Sequence, residues 1–289
     1  MKTYFKAPLS LKRLKDIKIL AFDLDGTLLD DKGYLSEGNK AALIRAMEKG
    51  YHVVIATGRV KAALAKDVLE CEGIRYAVTS NGARITDLHE NKIIYENLLT
   101  EENVRSVLPW MQDEEVMLEI FFEDDVYASR DCLSHVEDYG VVTEKSRRYT
   151  LGTRKPVDDI MKLVYDNIGS LENINILFGD QEKRIRFLNE VKQVEGVTAV
   201  SSMPHNIEIG GTTTSKANAL KELAELLGYD SSAIMAFGDS TNDTDMVRSA
   251  GIGVAMGNAV EELLEAADYI TFTNDDDGVA YALEELLGI

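Results

Sequence analysis

Ile17-Lys18-Ile19-Leu20-Ala21-Phe22-Asp23-Leu24-Asp25-Gly26-Thr27 is a short apolar run that ends abruptly in two carboxylates, a glycine and a hydroxyl. A near-continuous apolar run of this length, closed by a turn signal, is the pattern of a strand buried on both faces of a parallel sheet. Asp23 and Asp25 stand two residues apart where that strand ends, so their side chains point to the same side of the chain. Gly26 permits the tight turn that follows. Both carboxylates can therefore face one ligand. Taken alone, the segment Asp23 to Thr27 also reads as an Asx-turn with Asp25 capping a helix or loop.

Ser36 caps a helix that carries Ala41, Leu43, Ile44 and Met47 and stops at Gly50. A second strand, His52 to Ala56, ends in Thr57-Gly58-Arg59. A helix through Leu64 and Val68 then leads to a third strand, Tyr76 to Thr79, which closes on Ser80-Asn81-Gly82. This is βαβαβ. After about Ile85 the rhythm changes. Val116 to Phe122 and Val126 to Ser129 alternate like hairpin strands about Glu123-Asp124-Asp125. Helices are predicted over Val157 to Ile168 and Gln181 to Val194, with strands over Ile174 to Phe178 and Val197 to Ser201. From about Ile207 the first rhythm resumes, with Ala217, Leu220, Leu223, Ala224 and Leu227 on one helical face. Strands follow at Ala233 to Phe237, Ile252 to Ala255 and Tyr269 to Phe272. The predicted fold is α/β: a doubly wound, Rossmann-like parallel-sheet core from residues 1–84 and 206–289, interrupted by an inserted α/β domain over 85–205. In such sheets ligands bind at the carboxyl ends of the strands.

The 289 residues carry 31 Lys+Arg against 50 Asp+Glu, a formal net charge of -19. That charge repels nucleic acid and anionic membrane surfaces, so neither is an expected partner. A bound phosphate must instead be held by a metal ion or by a few placed cations and N–H groups. Cys71 and Cys132 lie far apart without histidines at ligand spacing, which argues against a disulfide framework or a zinc site. The start, Met1 to Asp16, is basic and contains Pro8, but no apolar secretion segment follows. No run of about 18 apolar residues occurs. A soluble, cytoplasmic protein is expected.

A second acidic cluster, Gly238-Asp239-Ser240-Thr241-Asn242-Asp243, again follows an apolar strand directly. Two such clusters repel unless a cation joins them. Carboxylate oxygens are hard donors suited to Mg²⁺, which also pairs with phosphate. A calcium loop of the EF-hand type would need a different series of acidic positions. Thr57 with Gly58 and Arg59, and Lys216 after Ser215, supply a hydroxyl, backbone N–H groups near a helix start and a fixed positive charge. Other patterns fail: Gly251-x-Gly253-x-x-x-Gly257 is one residue too long for a dinucleotide turn, Gly211 to Lys216 lacks the end of a P-loop, and no Gly-x-Ser-x-Gly occurs. His52, His89, His135 and His205 are scattered. Asp275-Asp276-Asp277 and Glu101-Glu102 read as solvated charges.

In this order, the segments resemble the haloacid dehalogenase-like superfamily over nearly the whole chain, specifically the Cof-type phosphatases of subclass IIB, which carry an α/β cap between the second and third motifs. The resemblance implies that Asp23 is the nucleophile and Asp25 the general acid/base. Thr57 and Lys216 would hold the phosphoryl oxygens, with Gly58, Asn81 and Asn242 in the phosphate-binding set. Asp23, the backbone carbonyl of Asp25, Asp239 and Asp243 would hold Mg²⁺. Gly253 to Ala259 and Asp277-Gly278-Val279 match the family's tail. Ala217, where glycine is common after the lysine, and Ser240, where glycine or asparagine is common, depart from the pattern, as does the approach Gly210 to Thr214. The implied activity is hydrolysis of small phosphate monoesters, such as sugar phosphates or phosphorylated cofactors, through an aspartyl-phosphate, with the insertion as a lid. Phe122, Tyr127 and Arg130 are candidate substrate-facing side chains of that lid. A phosphomutase, or a silent regulator that binds a phosphorylated metabolite, are the alternatives. A carboxylate, ordinarily ionised at neutral pH, attacks phosphorus without a base, which suits this implied chemistry.

Overall fold

The computed structural model describes residues 4–5 and 11–289. Residues 1–3 and 6–10, which include Pro8 of the basic start, lie outside the described residues. The strands before the insertion are β1 (Tyr4–Phe5), β2 (Ile19–Phe22), β3 (His52–Ala56), β4 (Tyr76–Thr79), β5 (Arg84–Asp87) and β6 (Lys92–Glu96). Next come β7 (Val116–Phe122), β8 (Asp125–Ser129), β9 (Arg154–Val157), β10 (Asn173–Phe178), β11 (Val197–Val200) and β12 (Asn206–Gly211). The chain closes with β13 (Ile234–Gly238), β14 (Ile252–Ala255) and β15 (Tyr269–Ile270). Among the described residues these form two sheets, ordered β1-β15-β14-β13-β2-β3-β4-β5-β6 and β11-β12-β10-β7-β8-β9.

In the first sheet β15, β14, β13, β2, β3 and β4 run parallel, with Phe22 in register with Phe237 on one side and Ile55 on the other. Their side chains alternate between two faces, and both faces are buried. Leu20, Phe22, Val53, Ile55 and Val254 pack with Ala42 and Leu43 of the helix Glu37–Glu48 and with Ala282 and Leu283 of the helix Gly278–Leu287. Ile19, Ala21, Val54, Ala56 and Ala236 pack with Ala219, Leu220 and Leu223 of the helix Lys216–Leu226. The uninterrupted apolar strands are thus explained by helices on both sides. Phe22 and Phe237 stack at 4.7 Å between ring centroids, directly before the two acidic turns. The fold is the expected α/β architecture with a Rossmann-like core.

The second unit carries a mostly antiparallel sheet in which only β8 and β9 pair parallel. Leu118, Ile120, Ile174, Ile176, Ile207 and Ile209 form one apolar face. Glu123 and Asp124 form the two-residue turn between β7 and β8, with φ of 51° and 62°. Two consecutive left-handed residues match the twist of a hairpin, and an acidic residue such as Asp124 tolerates that conformation better than most. The opposite face of the sheet holds a buried ion pair. Arg154 donates from Nε to Glu119 Oε1 at 2.6 Å and from Nη2 to Oε2 at 2.7 Å, and Asn175 Nδ2 donates to Oε2 at 2.9 Å. Burial works against the arginine's charge, but Glu119 outweighs it and the guanidinium is held more firmly protonated than usual. Of the candidate lid side chains, Arg130 pairs with Asp158 at 2.8 Å, while Tyr127 lies 6.4 Å from Phe122 and 5.9 Å from the Lys155 ammonium.

The seams differ from those expected. The compact units are 1–57, 64–95 and 215–289 on the one hand, and 58–63 with 96–214 on the other. β5 and β6 extend the first sheet, so residues 85–95 belong there and not to the insertion. β12, whose apolar run looked like re-entry into the core, pairs with β10 and β11, so residues 206–214 belong to the second unit. The helix predicted over Val157 to Ile168 is shorter, Ile160–Asp166. Pro156 sits in β9, and Asp159 caps the helix by accepting from the Lys162 N–H at 2.8 Å. A helix over Glu144–Thr153 precedes it, capped by Thr143 but too polar to show a period in the sequence. No helix among the described residues is long and apolar enough to cross a membrane. Both cysteines are free.

Glu119→Ala would leave the Arg154 guanidinium buried without its carboxylate, and is expected to cost about 3–5 kcal/mol. The measurement is the urea midpoint of the full chain. Glu119→Leu combined with Arg154→Met should cost far less, and a single-variant loss below about 1 kcal/mol would contradict the assignment of this pair.

Candidate active site

The ends of β2 and β13 create the site because their ladder runs one residue past the end of β2. The Asp23 N–H donates to Phe237 O at 3.1 Å. Beyond Asp23 the chain turns at Gly26, φ +81°, where a Cβ would come within 2.4 Å of Asp239 Oδ2. Only glycine allows both the backbone and the approach. Thr27 Oγ1 then donates to Asp239 Oδ1 at 2.9 Å, and Asn258 Nδ2 donates to Gly26 O at 2.8 Å. The two acidic turns are laced together before any ligand is considered.

After β13, Asp243 folds back over the turn. Its Oδ2 accepts from the N–H groups of Asp239 and Ser240, both at 3.1 Å. Gly238 leaves room for this, since a Cβ there would lie 2.4 Å from Asp243 Cβ. The other oxygen, Oδ1, accepts from Lys216 Nζ at 2.7 Å, and the same ammonium donates to Asp23 Oδ1 at 2.6 Å. Lys216 is the first residue of its helix, whose cap Ser215 accepts from the Asn218 N–H at 3.1 Å. A cation is disfavoured at the positive end of a helix dipole. Two carboxylates hold it there, and the side chain is buried.

Burial is the main force raising the Asp23 carboxyl well above its ordinary value of 3.8. Lys216 opposes it, and Asp243 and Asp239 add to it. Asp239 is pushed up to about 7, first by burial and then by Asp243, with Thr27 and Lys216 opposing and Asp25 adding. Burial also disfavours the Lys216 charge, but Asp23 and Asp243 outweigh it and the lysine is held protonated. Asp23, Asp239 and Asp243 can each bring one oxygen within 4.8 Å of the others. Three carboxylates meet one ammonium, all three donors are hard oxygens, and the carboxylates beside Asp23 and Asp239 add to the effect of burial. This donor set fits a hard divalent cation.

The remaining candidates form a second chain of contacts. Thr57 is buried at the end of β3 and donates its N–H to Val78 O at 2.9 Å. Its carbonyl accepts from the Asn81 N–H at 3.1 Å, and Asn81 Oδ1 accepts from Asn242 Nδ2 at 3.0 Å. Asp25 is exposed, and its charge reaches Asp239. Gly58 opens the segment 58–63 that clusters with the second unit. There Arg59 lies over the Tyr149 ring at 4.9 Å and donates to Ala63 O at 3.0 Å. Two bracing residues had no assigned role in the sequence: Thr27, and Asn258, which also accepts from the Asn274 N–H at 3.1 Å. The signal for Asn258 was its place directly after the glycine that follows β14. Of the aspartates read as solvated charges, Asp275 and Asp276 are exposed, Asp275 also accepting from the Asp31 N–H at 2.8 Å, whereas Asp277 is half-buried and accepts from Ser36 Oγ at 2.5 Å.

The haloacid dehalogenase-like hydrolase family profile matches residues 20–283. The chain is 32% identical to the phosphatase YwpJ of Bacillus subtilis (strain 168), over 94% of this chain and 100% of that protein. It is 31% identical to the 5-amino-6-(5-phospho-D-ribitylamino)uracil phosphatase YcsE of the same organism, over 93% and 95%. A solved haloacid dehalogenase-like hydrolase from B. subtilis superposes with a TM-score of 0.82 at 31% identity, covering 93% of this chain and all of the other. The chain belongs to the haloacid dehalogenase-like hydrolases, as a phosphatase of the Cof type, and is a phosphoric monoester hydrolase.

The raised Asp239 value sets a pH dependence for the protein in chelator. A carboxyl whose folded value lies above its ordinary 3.8 stabilises the fold when protonated, and loses that contribution as pH climbs through about 7. Melting temperature should therefore fall between pH 4 and pH 7.5 more steeply in the wild type than in Asp239→Asn. Equal slopes would contradict the assignment.

Proposed function

We propose that this chain hydrolyses small phosphate monoesters with Mg²⁺, through an aspartyl-phosphate on Asp23. The observation that carries the reading is the Lys216 ammonium held between Asp23 Oδ1 and Asp243 Oδ1 at 2.6 and 2.7 Å, with Asp239 beside them. Lys216 fixes the Asp23 side chain by one oxygen and leaves Oδ2 to attack phosphorus. Its charge, with the Thr57 hydroxyl and the Asn242 amide, would steady the phosphoryl oxygens as negative charge shifts in the transition state.

Asp23, the Asp25 backbone carbonyl, Asp239 and Asp243 are the residues that would hold Mg²⁺. The metal would offset the repulsion between a carboxylate nucleophile and an anionic phosphate. Asp25 differs from its neighbours in being exposed, which suits a group that must exchange protons with solvent. It would donate a proton to the leaving alkoxide oxygen as the P–O bond breaks, then accept one from the water that attacks the aspartyl-phosphate. Water adds to phosphorus, the acyl-phosphate bond breaks, and inorganic phosphate leaves with Asp23 restored.

The substrate class rests on the net charge of -19, which disfavours polyanions, and on the relatives' names, one of which specifies a phosphorylated ribitylaminouracil. Sugar phosphates and phosphorylated cofactors are of this size. Residues 96–214 are read as the cap that selects among them.

The test is phosphate release from a panel of monoesters with Mg²⁺. Asp23→Asn should lower turnover by at least about a thousandfold, and Asp25→Asn by about a hundred- to ten-thousandfold. Undiminished release by Asp23→Asn would remove the nucleophile. Mg²⁺ at about a hundred times its dissociation constant should stabilise the wild type by about 2.7 kcal/mol in thermal unfolding, and should do little for Asp239→Ala.

A further inference from the structure

Ser80, Asn81 and Gly82 are three consecutive residues with positive φ, of 50°, 55° and 100°. Two of them are not glycine, and such residues adopt this region at a cost and only where their surroundings hold them. The turn follows β4 and is buried throughout. Its contacts lead to three different parts of the proposed phosphate-holding apparatus. The Asn81 N–H donates to Thr57 O at 3.1 Å, at the end of β3. Asn81 Oδ1 accepts from Asn242 Nδ2 at 3.0 Å, in the turn after β13. At Gly82 the chain passes so close to the cap of the Lys216 helix that a Cβ would lie 2.2 Å from Ser215 O and 3.1 Å from Lys216 N.

We propose that Asn81 is a positioning residue for phosphoryl transfer, setting the Asn242 amide and the Thr57 backbone relative to each other from one left-handed turn. The inference rests on the reading that Thr57 and Asn242 hold the phosphoryl group. A carboxamide has two nearly isosteric ends, one donor and one acceptor, and a free asparagine can present either. The bond to Asn81 Oδ1 holds the Asn242 carboxamide in one orientation and leaves its second N–H for another acceptor. Asparagine suits the position because it tolerates the left-handed backbone and also carries the acceptor. Aspartate would supply the acceptor but place a further charge beside an anionic substrate. Glycine would keep the backbone and the N–H while removing the amide.

That difference makes glycine the informative substitution. Using p-nitrophenyl phosphate and Mg²⁺, Asn81→Gly is expected to lower kcat/KM by about ten- to a hundredfold, with a melting temperature within a few degrees of the wild type. In Asn242→Ala the same substitution should have little further effect, because the residue through which Asn81 acts has lost its amide. A residue that merely stabilised the turn would give losses that multiply across the two variants and that follow the melting temperature. Asn81→Ser, which keeps a short polar side chain, serves the same cycle should the glycine variant be insoluble. Full activity of Asn81→Gly, or multiplicative losses in the cycle, would overturn the inference while leaving the phosphatase reading intact. A wild type that releases no phosphate would remove both.

Discussion

A buried ammonium shared by two carboxylates is the interaction on which the rest of the site depends. Lys216 reaches Asp23 after β2 and Asp243 after β13, so one side chain ties the ends of adjacent parallel strands to the first turn of a helix packed beneath them. Removing two anions and a cation from water costs several kcal/mol per ion, and the cost is offset only if every group finds its partner. The backbone N–H bonds to Asp243, the Thr27 hydroxyl on Asp239 and the close glycine approaches follow from that demand. Neutrality is still not reached. The proposed uptake of a divalent cation would offset this excess of carboxylate over ammonium.

The parallel sheet supplies the geometry for this. Its strands are apolar on both sides because helices cover both faces, so their polar residues are confined to the ends. The ladder from Phe237 to Asp23 extends the rigid part of the sheet into the first residue of the acidic turn. The side chains of the candidate site therefore stand at the edge of a closely packed platform. The left-handed turn after β4 is bonded to both Thr57 and Asn242.

Much of this was legible in the sequence, and the reason is local. Buried parallel strands are short apolar runs, and each of the runs at Ile17, His52, Tyr76, Ala233 and Ile252 ends in the residues that form the site. The lacing of the site could not be seen, because Thr27 with Asp239 and Asn258 with Gly26 are pairs separated by more than 200 residues. The seams of the insertion were misplaced for a related reason. An apolar strand such as β12 has the same local pattern in either sheet, and only its partners decide where it belongs. The helix Glu144–Thr153 left no periodic signal, since it buries little of its surface.

The assignment of residues 58–63 to the second unit has a consequence for how that unit could have arisen. Val60 and Ala63 pack with Phe121, Val126 and Tyr149, so the apolar cluster on that side of the sheet is completed by a segment that leaves the chain immediately after Thr57. The unit is therefore not a self-contained module between two splice points. Residues 96–214 transplanted alone into another host would arrive with an uncovered apolar patch. Recombination between relatives would preserve the unit only by carrying the short segment beside Thr57 along with it, which links the inheritance of the insertion to that of the loop that follows the second motif.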